Sequence, residues 1–326
     1  MRNALTLWRS HQAAKRGTAN QAPLMPRGAM PMSLSIEPTT ACNLRCPECP
    51  SGLRSFTRPT GHAPMHQAAK WIESMADDLM YVNLYFQGEP LLHPELEHLI
   101  DTCRTHGVYS STSTNAHHLT PERAKSLVAA GLNRLIISID GASQETYSAY
   151  RVGGSLEAVL EGTRNAMDAT QRAGHSMHVV WQFLVVKPNE SDIPLIRQMA
   201  REHGVHELDL KTAQIDQPED GHPLLATRPE HRRYDRDPET GIWSLRNALR
   251  DECWRMWQGA VVTWDGKVVP CCFDKDAHHV MGNLNESPMQ EVWHGERYEA
   301  FRRLIVTHRQ GVAMCTNCSE GSHVYA

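Results

Sequence analysis

The sequence predicts an α/β fold, in which six strand–helix units form a parallel sheet and a small cysteine-rich α+β unit follows. Strand-like and helix-like runs alternate from residue 31 to residue 213. Glycines and helix-capping residues separate these runs, and the last quarter of the chain has an Asp-Gly hairpin signal between cysteines. Repeated strand–helix units at this spacing favour parallel strands joined by right-handed crossovers.

Length and composition limit the class of protein. A chain of 326 residues can bury a large core and approaches the size at which one core divides in two. A net charge of −4 gives no reason to expect a nucleic-acid partner. The chain has no run of eighteen apolar residues, so no membrane span is expected. Nine cysteines in a chain of this size indicate metal binding in a reducing, cytoplasmic compartment.

Residues 1–30 form an N-terminal extension. They lack the continuous apolar segment of a secretory signal. Positions 4–15 predict a basic amphipathic helix. We interpret it as a surface helix that leads into the sheet, in preference to a helix that lies on a membrane.

The predicted strands and helices alternate in the order that a parallel sheet requires. The strands are 33–37, 81–86, 109–113, 135–139, 179–186 and 207–211. The helices are 65–78, 94–106, 121–130, 156–173 and 193–203. Thr120 before Pro121 is a typical helix start, and Gly131 is a typical helix end. Ligands of such sheets gather at the carboxyl ends of the strands, so functional residues are expected there.

Three cysteines follow the first strand, Cys42, Cys46 and Cys49, with the spacing C-x3-C-x2-C. Thiolate is the soft ligand that iron–sulfur clusters prefer, and three thiolates can hold three irons of a [4Fe–4S] cluster. The fourth iron then has no protein ligand, as in a catalytic metal site. The alternatives are reduced thiols or a zinc site, for which the nearest histidines, His62 and His66, lie beyond a Gly/Pro-rich stretch.

This spacing resembles that of the radical S-adenosylmethionine (radical SAM) superfamily. The resemblance implies a partial (β/α)6 TIM-type barrel over residues 31–213, in which the open iron chelates the amino and carboxylate groups of SAM. It implies an electron donor such as flavodoxin or ferredoxin, reductive cleavage of SAM to a 5′-deoxyadenosyl radical, and abstraction of a substrate hydrogen. Glu48 stands where the family usually has an aromatic residue beside the adenine.

A second family motif follows the second strand. Gln87, Gly88 and Glu89, before Pro90, resemble the GGEP motif, with Gln87 in place of the first glycine. In the family this motif holds the SAM amino group, and a glycine lets the backbone approach the ligand closely. The alternative is an ordinary turn.

Polar residues also close the third and fifth strands. Ser113 and Asn115 can bond a ribose, or they form a polar turn. Asn189 follows the fifth strand, in a stretch that is loosely similar to the adenine-binding segment of the family.

The end of the fourth strand resembles the family's SxDG segment. Ser138 and Asp140 of this segment are expected near SAM. Arg151 follows thirteen residues after Ser138, where related enzymes have an arginine that pairs with the SAM carboxylate. A guanidinium suits that two-pronged contact, and the alternative is a surface arginine.

Residues 214–250 interrupt the strand–helix pattern. Prolines and glycines alternate there with charged residues. We predict an irregular linker or a substrate-facing loop.

The unit at 251–326 has four cysteines, Cys253, Cys271, Cys315 and Cys318. The Asp-Gly pair at 265–266 predicts a hairpin between the first two, and a helix over 289–307 precedes the last two. Four thiolates suit zinc or an iron–sulfur cluster. The pattern C-x12-G-x4-C followed by C-x2-C resembles the Twitch domain, a shortened SPASM domain, which implies one auxiliary [4Fe–4S] cluster held by all four.

Two cysteines remain. Cys103 lies on a predicted helix and is expected to be a small buried apolar residue. Cys272 stands where sulfatase-maturing relatives have an acidic general base after the matching cysteine. Cys272 and Asp274 are therefore the candidate catalytic residues.

These resemblances imply a radical SAM oxidoreductase that dehydrogenates a small molecule, with the auxiliary cluster as electron acceptor. The cysteine pattern is similar to that of the 2-deoxy-scyllo-inosamine dehydrogenase type. One alternative is a maturase that modifies a peptide or protein, which usually has an added leader-binding domain, larger than the extension at 1–30. Another is a redox-neutral epimerase with Cys272 as hydrogen donor. A non-enzymatic zinc- or cluster-binding protein would require the SAM motifs to be accidental.

Overall fold

The computed structural model describes residues 2–16, 24–174, 177–246 and 249–318. Its strands are β1 (Ser33–Ile36), β2 (Tyr81–Asn83), β3 (Tyr109–Thr114), β4 (Arg134–Ser138), β5 (His178–Val185), β6 (Glu207–Thr212), β7 (Tyr234–Arg236), β8 (Trp243–Leu245), β9 (Gly259–Val262), β10 (Lys267–Val269) and β11 (Gly282–Asn283). Its α-helices are α1 (Arg2–Lys15), α2 (Pro50–Leu53), α3 (Met65–Glu73), α4 (Leu96–Thr105), α5 (Pro121–Ala130), α6 (Gln144–Ser148), α7 (Leu156–Arg172), α8 (Ile193–Glu202), α9 (Arg255–Gln258), α10 (Met289–His294), α11 (Glu296–His308) and α12 (Ala313–Thr316). Short 3₁₀ helices lie at Pro90–Leu92, Pro229–His231 and Arg309–Gly311. In these ranges no helix has both the length and the apolar character to cross a bilayer.

Strands β1 to β6 pair in parallel in chain order. Helices α3, α4, α5, α7 and α8 lie between successive strands. This confirms the predicted parallel sheet of six strands and the five helices predicted between them, and the carboxyl ends of the strands meet at one edge. The predicted helix 121–130 has the predicted bounds, with the Thr120 side chain accepting from the Arg123 N–H.

The C-terminal hairpin extends the same sheet. Strand β9 pairs in parallel with β1, so that Ser33 lies beside Gly259, and β10 is antiparallel to β9. The hairpin at 265–266 is confirmed, but the C-terminal unit shares the sheet of the barrel. Edge strands expose unpaired backbone groups, and this pairing covers that edge of β1.

The helix predicted over 289–307 is two helices. Gly295, with extended dihedral angles, ends α10 and begins α11. The predicted helix 65–78 ends earlier, at Glu73, and residues 74–78 continue it as turns.

Successive residues of each strand lie on opposite faces of the sheet. One face is apolar and packs under the helices, as Leu34, Val82 and Trp181 show. The other is polar near β1 to β3, where Ser111 donates to Asn83 Oδ1 at 2.6 Å and Asn83 donates to Ser35 at 3.4 Å. A polar inner face is suited to a bound polar molecule.

Helix α1 packs on the C-terminal unit. The Trp257 indole donates to Ser10 Oγ at 3.3 Å, and Lys15 pairs with Glu252. The His11 ring lies 5.0 Å from that of Trp257, and burial lowers the pKa of His11 to about 4. The predicted helix is confirmed, and it contacts the cysteine-bearing unit directly.

The linker folds back onto the rest of the protein. Strands β7 and β8 pair as a small antiparallel ribbon. Tyr234 is buried, and its hydroxyl contacts the backbone of Ile215 and donates to Asn317 Oδ1 at 2.6 Å. Asn317 lies between Cys315 and Cys318, so the linker is tied to the second cysteine group.

Candidate active site

The first cysteine loop runs from β1 to α2 and is fixed by neighbouring strand ends. Cys46 is buried, Cys42 and Cys49 are half-buried, and all three are free thiols. Burial raises the pKa of Cys42 to about 11. Metal coordination deprotonates a thiol outright, so a raised pKa of the metal-free thiol does not exclude iron binding. Three unpaired thiols on one loop fit the three-ligand side of a [4Fe–4S] cluster.

The turn at Gly88 lies directly on the cysteine loop. The Gly88 N–H donates to Ser51 Oγ at 2.8 Å, and the Glu89 N–H donates to the Ala41 carbonyl at 2.7 Å. Gly88 has a φ of 73°, and a Cβ there would lie 2.2 Å from the carbonyl oxygen of Thr39. Only glycine fits this approach without displacing the loop.

Gly88→Ala is expected to destabilise the protein and to weaken SAM binding. A positive φ costs an alanine about 1–2 kcal/mol, and the clash with Thr39 adds to that. Gly107→Ala is the matched control, because Gly107 has a φ of 67° with nothing within 4 Å of an added Cβ. Chemical unfolding and SAM affinity should both change more at Gly88 than at Gly107. Equal losses in the two variants would contradict the close approach.

Glu89 joins the ends of two strands. Its buried carboxylate accepts from Thr114 Oγ1 and the Asn115 N–H, both at 2.7 Å, and from the Leu91 N–H at 3.0 Å. Burial raises the pKa of Glu89, while these hydrogen bonds oppose that rise. The side chain therefore holds the GEP turn against β3.

Gln87 is the unsatisfied group of this turn. Its side chain is 8% exposed, and Oε1 has no hydrogen-bond partner among the described residues. A buried acceptor without a donor costs free energy unless a ligand supplies one. An ammonium group would do so, which fits the predicted contact with the SAM amino group.

The third strand ends beside the cysteine loop. Asn115 Nδ2 donates to Asn43 Oδ1 at 2.7 Å, and Asn43 lies in that loop. Ser113 is half-buried, and none of the side-chain hydrogen bonds in the described ranges involves it or Ser138. These two hydroxyls are available to a ligand.

Arg151 connects the fourth strand to the cysteines. Its Nε donates to Asp140, and its Nη1 donates to Cys46 Sγ at 3.8 Å. Asp140 is fully buried and also accepts the Leu184 N–H at 2.6 Å. Asp140 thus orients Arg151, which reaches the first cysteine group.

Asn189 is occupied by backbone contacts. Its Oδ1 accepts the Val186 N–H at 2.8 Å, and its Nδ2 donates to the carbonyls of Asp140 and Leu184, both at 2.9 Å. It joins the loops after β4 and β5. This geometry favours an adenine contact through the backbone of that loop rather than through the Asn189 side chain.

The second cysteine group combines distant parts of the C-terminal unit. Cys253, Cys271, Cys315 and Cys318 are all buried, and none of them is in a disulfide. Cys253 interacts electrostatically with Cys271 and with Cys315, and Arg309 interacts with Cys253, Cys315 and Cys318. Four thiols in one region fit a fully ligated cluster. In the described ranges no three His, Cys, Asp or Glu side chains form a single-ion site.

The two candidate catalytic residues differ in surroundings. Asp274 is 2% exposed, and its two oxygens accept the N–H groups of His278 and His279, both at 2.8 Å. Cys272 is half-buried and lines a small cavity of about 30 Å³ with Ser35 and Asn83 of the polar sheet face. The geometry favours Cys272, because Asp274 is committed to holding its own loop.

Two features were not expected from the sequence. Tyr85 is on the inner side and interacts electrostatically with Cys272. The alternation Tyr81, Asn83, Tyr85 is the signal that could have placed it there. Glu48 accepts the Asp216 N–H at 3.0 Å, so the residue that replaces the family's aromatic ties the linker to the first cysteine loop.

A cleft of about 660 Å³ lies where these parts meet. The first cysteine loop lines it through Glu48 and Pro50, and the linker through Gln214. The C-terminal unit contributes Phe273, next to Cys272, and Met314, next to Cys315. The cleft is therefore lined by residues that adjoin cysteines of both groups in the sequence.

Known proteins match both parts of the chain. The radical SAM superfamily model matches residues 36–198, half of the chain, and the model of SPASM, an iron–sulfur cluster-binding domain, matches residues 253–319. The AdoMet-dependent heme synthase of Methanosarcina barkeri is 27% identical over 308 residues, 84% of each chain. The PqqA peptide cyclase of Rhizobium meliloti is 25% identical over 312 residues, 87% of this chain and 79% of that protein.

A solved structure has the same fold. BtrN in complex with AdoMet and 2-DOIA superposes with a TM-score of 0.56 at 20% identity, covering 90% of this chain and 94% of BtrN. The parallel sheet, the cysteine loop after β1 and the C-terminal cysteine unit are the parts that the two family models describe. The chain therefore belongs to the radical SAM superfamily and carries a C-terminal SPASM domain, so that its cofactors are SAM, a [4Fe–4S] cluster and auxiliary iron–sulfur.

Proposed function

We propose that this radical SAM enzyme is an oxidoreductase that dehydrogenates a small molecule and uses one auxiliary [4Fe–4S] cluster as electron acceptor. The observation that carries the proposal is the cleft of about 660 Å³, whose lining includes sequence neighbours of cysteines in both groups. A substrate in this cleft would reach the SAM side through Glu48 and the auxiliary side through Phe273 and Met314. That placement suits a reaction in which a hydrogen atom leaves toward SAM and an electron leaves toward the second cluster.

The site residues are assigned in this proposal as the sequence predicts, with roles refined by the contacts. The ligands of the first cluster are Cys42, Cys46 and Cys49, and those of the auxiliary cluster are Cys253, Cys271, Cys315 and Cys318. The residues of the SAM site are Gln87, Gly88, Glu89, Ser113, Asn115, Ser138, Asp140, Arg151 and Asn189. Within that set, Glu89, Asp140 and Asn189 act by positioning strand ends and Arg151, because their side chains already bond within the protein.

When bound, the first cluster and SAM supply the hydrogen-abstracting radical, and the auxiliary cluster takes up one electron. The chain's own residues orient the reactants and move a proton. Arg151 would hold the SAM carboxylate, and Gln87 Oε1 would accept from the SAM amino group. A substrate radical beside a hydroxyl becomes a carbonyl by losing one electron and the hydroxyl proton. Cys272, which adjoins Phe273 of the cleft in the sequence, is the proposed acceptor of that proton.

The proposal includes a reductant and a location. Flavodoxin or ferredoxin would supply the electron for SAM cleavage. None of the nine cysteines is in a disulfide, which suits a reducing, cytoplasmic compartment.

A second candidate is peptide modification. It is favoured by the similarity to the PqqA peptide cyclase, which extends over 87% of this chain. The same catalytic steps would then act on a side chain of a peptide that enters the cleft. Epimerisation, with Cys272 returning a hydrogen atom, is the redox-neutral variant.

Reconstitution separates these functions. The anaerobically reconstituted enzyme with SAM and dithionite should form 5′-deoxyadenosine, and a low-molecular-mass cell extract should accelerate it more than a peptide fraction. The accelerating compound, repurified and assayed in D₂O, should become a carbonyl without solvent deuterium on the attacked carbon. One deuterium at that carbon with no change in oxidation state would refute dehydrogenation in favour of epimerisation. Acceleration by the peptide fraction alone would favour the maturase.

Arg151→Lys is expected to weaken SAM binding at least about tenfold. Lysine keeps the positive charge beside Asp140 but loses the planar fork, and a hydrogen bond to a charged group contributes about 1.5–3 kcal/mol. Equilibrium dialysis of the reconstituted, unreduced enzyme measures this. Arg164→Lys, which alters an exposed arginine paired with Glu157, is the control.

Arg151→Ala gives the larger change but leaves Asp140 buried without its cation. Its unfolding free energy must therefore be measured beside its SAM affinity. Unchanged SAM affinity in a folded Arg151→Ala enzyme would remove Arg151 from the site.

A further inference from the structure

We propose that Arg309 raises the reduction potential of the auxiliary cluster and thereby makes the cluster a better electron acceptor. The inference rests on the proposed ligand set of four cysteines. It assigns a tuning role to a residue outside that set.

Arg309 bridges the two ends of the ligand set. It is 2% exposed and begins the 3₁₀ turn between α11 and α12. Its Nη1 donates to the Glu252 carbonyl at 2.5 Å, next to Cys253, and its Nη2 donates to Cys318 Sγ at 3.5 Å. Its own N–H donates to the Asp251 carboxylate at 2.7 Å, which fixes the backbone that carries it. One guanidinium thus contacts the first and the last parts of the proposed cage.

The charge of Arg309 acts on three of the four sulfurs. The guanidinium interacts electrostatically with Cys253, Cys315 and Cys318. Guanidinium stays protonated in proteins. Reduction adds one negative charge to a cluster, and a fixed cation in a poorly screened interior stabilises the reduced form more than the oxidised form. Net charge and hydrogen bonds to sulfur are among the factors that set cluster potentials.

A second buried arginine of the same unit supplies the comparison. Arg302 is fully buried on α11, donates to the carbonyls of Met256 at 3.0 Å and Trp293 at 2.8 Å, and lies over the rings of Trp293 and Tyr298. The contacts described for Arg302 include no cysteine sulfur. Arg302 is therefore a structural arginine that is as buried as Arg309 but lacks the described contact with a cysteine sulfur.

The test is a redox titration of the auxiliary cluster alone. The full chain with Cys42, Cys46 and Cys49 changed to Ala provides it. Arg309→Lys, Arg309→Gln and Arg309→Met are compared in this background, with Arg302→Lys as control, by electron paramagnetic resonance at set potentials. The reduction potential of the auxiliary cluster should be lower in the Gln and Met variants by at least about 59 mV. For a one-electron couple this corresponds to a tenfold change in the ratio of reduced to oxidised cluster. The potential of the Lys variant should lie between the potentials of these neutral variants and that of the protein with Arg309 unchanged.

The outcomes separate this inference from the proposed function. An unchanged potential in Gln or Met variants that keep the cluster would overturn the role of Arg309. A shift in Arg302→Lys as large as the shift in the Arg309 variants would also overturn it. If the neutral variants lose the cluster, the Lys variant decides, because its ammonium cannot keep both contacts: an unchanged potential refutes the inference. Absence of any cluster in the background protein would refute the ligand set. A shifted potential in an enzyme that performs no oxidation would uphold the role of Arg309 while refuting the proposed function.

Discussion

The variant in which Cys42, Cys46 and Cys49 are all changed to Ala is expected to hold about half the iron of the unmodified enzyme. Two cubanes of four irons give about eight atoms per chain, and the variant keeps about four. It should form no 5′-deoxyadenosine above the buffer blank, because reductive cleavage of SAM requires the cluster for which these thiols are the proposed ligands. Iron analysis after anaerobic reconstitution and chromatography of the adenosyl product measure the two effects.

Cys103→Ala is the matched control for this variant. Cys103 is fully buried in α4 among apolar residues and belongs to neither cysteine group. Its replacement removes a thiol and leaves a small void, so it tests for loss of iron through general destabilisation. The control should keep about eight irons. Full iron content in the triple variant would refute the assignment of the first cysteine group.

Local pattern was enough to predict the barrel. Each strand from β1 to β6 begins within two residues of its predicted first residue. The apolar runs and the turn residues that separate them from the helices are local signals. The shared position of the first three cysteines was also predictable, since the spacing C-x3-C-x2-C places three thiols on one loop whatever surrounds it.

Long-range pairing was not predictable. Strand β9 pairs with β1 although more than two hundred residues separate them in the chain, and neither strand has a sequence feature that identifies the other as its partner. The packing of α1 on α9, through Trp257 and Ser10, is also a long-range contact that the sequence pattern does not predict. Period-two alternation places a residue on a face but does not say which strand lies beside it.

The roles of individual polar residues depended on such contacts. Glu89 and Asn189 were predicted at the SAM site by motif, and the structure shows their polar atoms bonded to strand ends. Gln87, which departs from the family motif, keeps the unsatisfied oxygen. A motif gives the position of a side chain along the chain, whereas its free hydrogen-bonding capacity depends on the fold.

Changing both Cys315 and Cys318 to Ala is expected to leave SAM cleavage measurable and to abolish net oxidation. The four proposed ligands would complete the coordination of all four irons and leave no iron open to substrate. In the proposed dehydrogenation the auxiliary cluster would supply the acceptor of the second electron. Without it, hydrogen abstraction can still yield 5′-deoxyadenosine, but the substrate radical has no route to a carbonyl.

The stability of this double variant must be established before its activity is interpreted. Cluster ligation supplies folding free energy to a small unit, and β9 of that unit pairs directly with β1 of the barrel. Matched circular dichroism and retention of about four irons by the first cysteine group would show that the barrel is intact. Arg302→Lys, which keeps all four thiols and alters an arginine whose described contacts include no cysteine sulfur, controls for disturbance of the same unit.

Product analysis then decides between the two classes of reaction. Dehydrogenation predicts 5′-deoxyadenosine without oxidised product in the folded double variant. If that variant oxidised substrate at the original rate, the electron-acceptor role would be wrong. If the unmodified enzyme inverts a carbon centre without oxidation, Cys272 would become the hydrogen donor, and Cys272→Ala should abolish inversion while 5′-deoxyadenosine still forms. Tyr85, beside Cys272 on the inner face, would then be the next residue to test as a relay to that thiol.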